Sequence, residues 1–241
     1  MSLPLKPILL LADSQLLFFE ENGTRFLASM RALIEPVAPK AAYLGASNGD
    51  DPNFYAIFEA AMELVGVRDC RMVLSSFSAD DAAFLAESDI ILLAGGDVEK
   101  GWNVFQENGA GEEIIRKYYE GALLIGVSAG AVQLGLGYWS AEEDWTSRNL
   151  IDTFKLVPVI VQAHDDKQDW DSLQEAVRTT GDGARGIGIS AGGGALYFAE
   201  GTLEPIRYPL HEFALVDEKI TRSLLWPVPD LDVIEGPETF S

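Results

Sequence analysis

The sequence predicts an α/β protein whose mostly parallel central sheet is enclosed between two helical layers. Three observations carry that expectation. Short, nearly all-apolar runs recur along the chain, which is how strands covered on both faces look. Amphipathic stretches with helical spacing lie between them, and such alternation builds parallel strand–helix–strand units. The 241 residues are 48% hydrophobic and 23% charged, which supplies a sizeable core and sets disorder aside.

The elements follow in order. Residues 8–12 and 41–44 read as the first two buried strands. Asp51-Pro52 then starts a helix in which Phe54, Ile57, Phe58, Ala61, Met62 and Val65 form one stripe, and Gly66 stops it. A strand over 71–74, a helix over Ala79–Glu87 and a strand over 90–94 come next. A helix over 112–120, a strand over Leu123–Val127 and a helix over 129–136 complete the regular part. The last third changes character: 156–161, 186–190, 195–198 and 205–208 look like strands on shorter connections, some of them antiparallel. Gly192-Gly193-Gly194 is a turn between two of these runs. With no repeat, linker or low-complexity tract, one domain over 1–241 is the economical reading.

Charge narrows the function classes. Seventeen Lys and Arg against 38 Asp and Glu leave a formal net charge of −21. A chain this acidic lacks the basic face that nucleic acid or an anionic membrane requires. No apolar run approaches the roughly 20 residues of a membrane span, and residues 7–12 are too short for a signal-peptide core. A cytoplasmic protein is expected. The single cysteine, Cys70, excludes an internal disulfide and a cysteine-based zinc site, and its strand-like surroundings predict a buried, inert thiol. Association with further copies of the chain is compatible with the sequence, which marks no interface.

The strongest chemical signal is Gly126-Val127-Ser128-Ala129-Gly130, a G-x-S-x-G segment that leaves a buried strand and enters a helix. That context is the one a nucleophile elbow needs: small neighbours permit a tight turn that exposes the hydroxyl at a helix N-terminus. A glycine-rich turn with an N-capping serine is the plainer alternative. A nucleophilic serine needs a base, and the chain has only His164 and His211. His164 follows an apolar run through Gln162-Ala163, which puts it where ligands of open α/β sheets gather. His211, after Tyr208-Pro209-Leu210, reads as a loop or edge residue. An oxyanion needs two N–H donors; Ala129, directly after the serine, offers one. A second strand ending in Gly95-Gly96-Asp97 lets backbone approach a substrate closely.

These residues resemble the family of serine peptidases that includes dipeptidase E and cyanophycinase. Ala94-Gly95-Gly96-Asp97 is similar to the family's Gly-Gly-Asn/Asp turn, and 121–131 to its nucleophile segment. Residues 43–47 resemble its first post-strand loop and 158–164 its histidine segment, so the likeness covers roughly residues 6–198. The resemblance implies a three-layer α/β/α fold related to class I glutamine amidotransferases. It implies Ser128 as nucleophile, His164 as base, Gly96 and Ala129 as oxyanion-hole donors, and neither metal nor organic cofactor. It departs in two places. Asp165-Asp166-Lys167-Gln168-Asp169 stands where the family carries an aromatic and spaced arginines that hold an acidic substrate. Ala191 stands where the family's third triad member is a glutamate.

Three readings follow. In the first, the protein hydrolyses a peptide, isopeptide or small amide through an acyl-enzyme, with Gly95, Asp97, Asp165 and Asp166 lining the cleft. Asp165, Asp166, Asp169 and Asp171 would then rim the cleft with negative charge and favour basic or neutral substrates. The acid is expected to be missing, leaving a Ser–His dyad, unless Asp144, Asp152, Asp165, Asp166 or Glu200 reaches His164. The second reading is an esterase of the α/β-hydrolase type built from Ser128, Asp182 and His211. The third is a homologue that retains the fold but binds or regulates, with weak or no turnover.

Overall fold

The computed structural model describes residues 5–21, 23–139 and 149–227. The chain begins with β1 (Ile8–Leu11), β2 (Glu20–Glu21), β3 (Thr24–Arg25), α1 (Phe26–Arg31), β4 (Lys40–Leu44) and α2 (Pro52–Leu64). It continues through β5 (Asp69–Val73), α3 (Ala79–Glu87), β6 (Ile90–Leu93), α4 (Val98–Asn108), α5 (Ala110–Tyr119), β7 (Leu123–Val127) and α6 (Ala129–Leu134). Then come β8 (Gly137–Trp139), β9 (Leu150–Asp152), β10 (Ile160–Ala163), α7 (Asp171–Thr180) and β11 (Arg185–Ile189). The described chain closes with β12 (Gly194–Tyr197), β13 (Leu203–Ile206), β14 (Leu210–Val216) and β15 (Lys219–Leu225).

Seven strands form one sheet in the order β13-β12-β1-β7-β6-β4-β5. From β1 to β5 every neighbour is parallel; β12 and β13 add antiparallel at the β1 edge. Successive side chains point to opposite faces. Ile8, Leu10, Ala42, Leu44, Ile91 and Leu93 therefore enter one core, which α3, α4, α5 and α6 cover with Leu85, Trp102, Phe105, Ile114 and Leu134. Leu9, Leu11, Ala41, Tyr43, Ile90 and Leu92 enter the other, under Leu27 and Met30 of α1 and Phe58 and Met62 of α2. Each fully buried Leu, Ile, Phe or Met side chain among them stabilises the fold by about 1.5–3 kcal/mol. The mostly parallel sheet between helical layers is the predicted architecture.

A second sheet, β10-β11-β14-β15, is mixed, with β10 and β11 parallel and the rest antiparallel. Val161, Ile187, Ile189 and Leu210 from one face join the core that holds α6. The opposite face packs Ile160 and Phe213 against Trp170, Leu173 and Val177 of the α7 region. Among the described residues, no helix is long and apolar enough to cross a membrane.

Two expectations need correction. The strand predicted over 156–161 begins only at Ile160. The chain ahead of it instead caps the end of α6: Phe154, Lys155 and Val157 donate to the carbonyls of Gln133, Gly135 and Leu134, and Phe154, Val157 and Val159 are buried there. His211 lies neither in a loop nor on an edge; it sits in β14, paired with Gly188 on one side and Leu224 on the other.

Candidate active site

The parallel strands β1, β4, β6 and β7 all end at one side of the sheet, and the chain segments leaving them meet there. This is where open α/β sheets bind ligands. Ser128 leaves the middle of the set. Its N–H still donates to Leu11 O at 2.8 Å, continuing the ladder to β1, before the backbone turns to φ 50°, ψ −108°. That conformation is sparsely populated for a residue with a side chain and is a known mark of strained functional turns. The flanking glycines are demanded by contact: a Cβ at Gly126 would press on the backbone of Gly130 and Ala131, and one at Gly130 would overlap the Leu93 carbonyl. The turn can close only because both are absent.

Ser128 does not cap α6. Its Oγ instead lies 2.8 Å from His164 Nε2. His164 follows β10, its N–H donating to Ile189 O at 2.8 Å, and its own backbone has φ 45°. The sequence separates these two residues by 36 positions and places them on different sheets; the fold brings them into hydrogen-bond contact.

Gly96, between β6 and α4, has φ 136°, and a Cβ there would overlap the Ser47 carbonyl. The turn is held by Asp97 N–H, which donates to Ser47 O at 2.8 Å. Buried Gln133 of α6 ties the same parts together, donating to Ser47 Oγ at 3.1 Å and Val98 O at 2.9 Å. Sequence reasoning missed Gln133 because a lone glutamine in a helix carries no periodic or motif signal. Gly95 faces the serine: a Cβ on it would lie 3.2 Å from Ser128 Cβ. Among the described residues, the N–H groups of Gly96 and Ala129 have no hydrogen-bond acceptor.

A cavity of about 270 Å³ opens beside Ser128 and His164, with Gly95 and Gly96 in its wall. Asp97, Asp165 and Asp166, expected in the cleft, do not line it. The Asp97 side chain caps α4, accepting from Lys100 N at 2.9 Å. Among the described residues Asp165 Oδ2 is buried without a hydrogen-bond partner; burial first, then the nearby Asp171 carboxylate, push its carboxyl above the usual range. Asp166 lines a separate, open cavity with Ser190, Ala191 and His211. Asp169 is ion-paired with Arg222 at 2.7 Å, so the acidic run does not rim the cavity beside Ser128 as expected.

His211 is engaged away from the serine. Its ring lies 5.3 Å from Trp170, and Arg222 approaches its Nδ1 at 3.0 Å. A guanidinium only donates, so Nδ1 must accept and the ring is neutral. Burial first, then the Arg222 charge, hold His211 below the ordinary imidazole range. No Asp or Glu oxygen among the described residues lies within 4.0 Å of a His164 ring nitrogen. Asp152 pairs with Lys155, Glu200 is exposed, and Asp144 lies outside the described residues. Among the described residues, no group of three or more His, Cys, Asp or Glu side chains is placed to hold a metal ion. Cys70 in β5 is half-buried, and burial pushes its thiol up to about 11.

A tight strand–serine–helix turn at the C-terminal end of a central parallel strand, facing a histidine, defines the class: an α/β protein with the frame of a serine hydrolase. The model of peptidase family S51 matches residues 8–206, and the chain belongs to that family of serine peptidases. No curated protein matches it in sequence. In fold it is similar to a peptidase from an acI-B1 Actinobacterium, with a TM-score of 0.67 at 15% identity over 93% of this chain and 95% of that one. A candidate peptidase E protein from Listeria monocytogenes EGD-e gives a TM-score of 0.58 at 16% identity, covering 92% and 99%. At these identities the likeness is one of fold.

Proposed function

We propose that the protein hydrolyses peptide, isopeptide or small amide bonds with Ser128 as nucleophile and His164 as base. The carrying observation is the 2.8 Å contact between Ser128 Oγ and His164 Nε2 at a turn that points the hydroxyl away from its own helix. Oγ attacks the carbonyl carbon while its proton passes to Nε2. The oxyanion forms against the N–H groups of Gly96 and Ala129, where one well-placed donor contributes about 10²–10³ in rate. The C–N bond then breaks, Nε2 returns the proton to the leaving amine, and water repeats the sequence on the acyl-enzyme. Nε2 accepts from the serine, so the neutral ring carries its proton on Nδ1. With no carboxylate at Nδ1 among the described residues, we read the pair as a dyad.

The esterase reading loses its base, because Arg222 and Trp170 occupy the His211 ring and Ser128 faces His164. The test is a serine-directed fluorophosphonate. Labelling of the native protein that disappears in Ser128→Ala, together with a fall in kcat of up to about 10⁶, is expected. Native protein that resists the probe defeats the hydrolase proposal and favours the fold-retaining binding homologue.

A further inference from the structure

The cavity beside Ser128 differs in chemistry from the acidic surface around it. Leu17, Tyr43, Phe54, Ile57, Phe58 and Leu92 line the cavity. Tyr43 Oη accepts from Asn48 Nδ2 at 2.8 Å, which holds the ring in the wall. Among the described residues no lysine or arginine lines the space, and Asp13 is the one carboxylate there. That carboxylate is already committed: it accepts from Gln15 N at 2.9 Å, Gln15 Nε2 at 3.2 Å and Gly192 N at 2.7 Å. A carboxylate side chain entering here would lose water and meet no cation among the described residues, and a cationic one would meet a single carboxylate that already accepts three hydrogen bonds. The rim is also apolar. Phe54 and Ile57, on the first turns of α2, remain 52% and 36% exposed although Phe58, Ala61 and Met62 of their stripe are buried. At about 270 Å³ the space falls just below the range of drug-sized sites, the scale of a single side chain.

We propose that this cavity receives the side chain on the acyl side of the scissile bond, and that the substrate residue there is aromatic or long aliphatic. The inference rests on the hydrolase reading for its orientation, since Gly95 and Gly96 connect the cavity wall to Ser128. It replaces the cationic preference that the net charge of −21 suggested, because the acidic run lies elsewhere.

The experiment separates pocket from chemistry. Phenylalaninamide, leucinamide, aspartamide and argininamide are titrated into Ser128→Ala by NMR, and the same four residues are assayed as coumarin amides with native protein. The aromatic and aliphatic compounds should bind, and turn over in kcat/KM, at least about tenfold better than the charged ones. Ile57→Arg, at a partly exposed rim position, should lower the phenylalanine-to-aspartate ratio by about tenfold or more. Equal or tighter binding of a charged amide, binding of none, or apolar binding indifferent to Ile57→Arg overturns the inference. Fluorophosphonate labelling is read in parallel. Its failure with apolar binding intact removes the hydrolysis and leaves the pocket standing.

Discussion

Gly95 and Gly96 are chain neighbours with different duties, and alanine tells them apart. Gly96→Ala forces a side chain into φ 136° and onto the Ser47 carbonyl, so both melting temperature and fluorophosphonate labelling should fall. Gly95→Ala meets Ser128 Cβ at 3.2 Å and the Val127 carbonyl at 3.4 Å, contacts relieved by a shift of a few tenths of an ångström. It should fold normally and lose about 10- to 100-fold in kcat, since small misplacements of a reacting group are that costly. Asp165 gives a third test. Its carboxyl is held above the ordinary range, so the folded state binds more protons than the unfolded one and stability falls as pH rises through that interval. Asp165→Asn removes the buried, unpartnered charge. Its melting temperature should exceed that of the native protein at pH 7, and the gain should shrink as pH drops into the carboxylate range. Ser128 and His164 were legible because one sits in a specific motif and the other is one of only two histidines. The pocket was not: Phe54 and Ile57 continue the helical stripe of Phe58 and Met62, and spacing alone does not separate wall from core.

At the scale of elements, α4 is one of the parts of the fold that sequence reading passed over, with α1, α7, β14 and β15. Asp97 starts it and Gly109 ends it, but Gly101 interrupts the pattern with a poor helix former. The structure explains that glycine: a Cβ there would overlap Ser47 Oγ, so tertiary packing overrides local preference. Asp97→Ala removes the cap on Lys100 N and should cost about 1 kcal/mol in chemical denaturation. The central strands were legible because both faces are buried, whereas β14 was hidden behind Pro209, which ends one feature and begins another. His211 within β14 gives that sheet a pH response. Arg222 and burial disfavour its protonation, against weaker pulls from Asp166 and Asp169. The unfolded chain takes up that proton near the ordinary value of about 6.5, the folded one only at lower pH. Acidification below that value should therefore lower stability, and Arg222→Ala should move the His211 NMR titration upward.

For the whole molecule, the charge of −21 acts as a distributed self-repulsion that salt screens. The melting temperature should rise between low-salt buffer and about 0.5 M sodium chloride; a flat or falling profile would show that local ion pairs dominate instead. A further consequence follows from where the two reacting side chains are anchored. Ser128 belongs to the seven-stranded sheet and His164 to the four-stranded one. Between them stands α6, all six of whose residues are buried, with Ser128 at one end and Gly135 against Val159 and Val161 at the other. The serine–histidine distance is thus an internal gauge of how the two sheets are seated. Loosening of the smaller sheet by part of an ångström would go unnoticed in circular dichroism yet separate proton donor from acceptor. In a denaturant series, hydrolysis should vanish before the spectroscopic transition begins, making turnover the most sensitive reporter of sheet-to-sheet slip in this molecule.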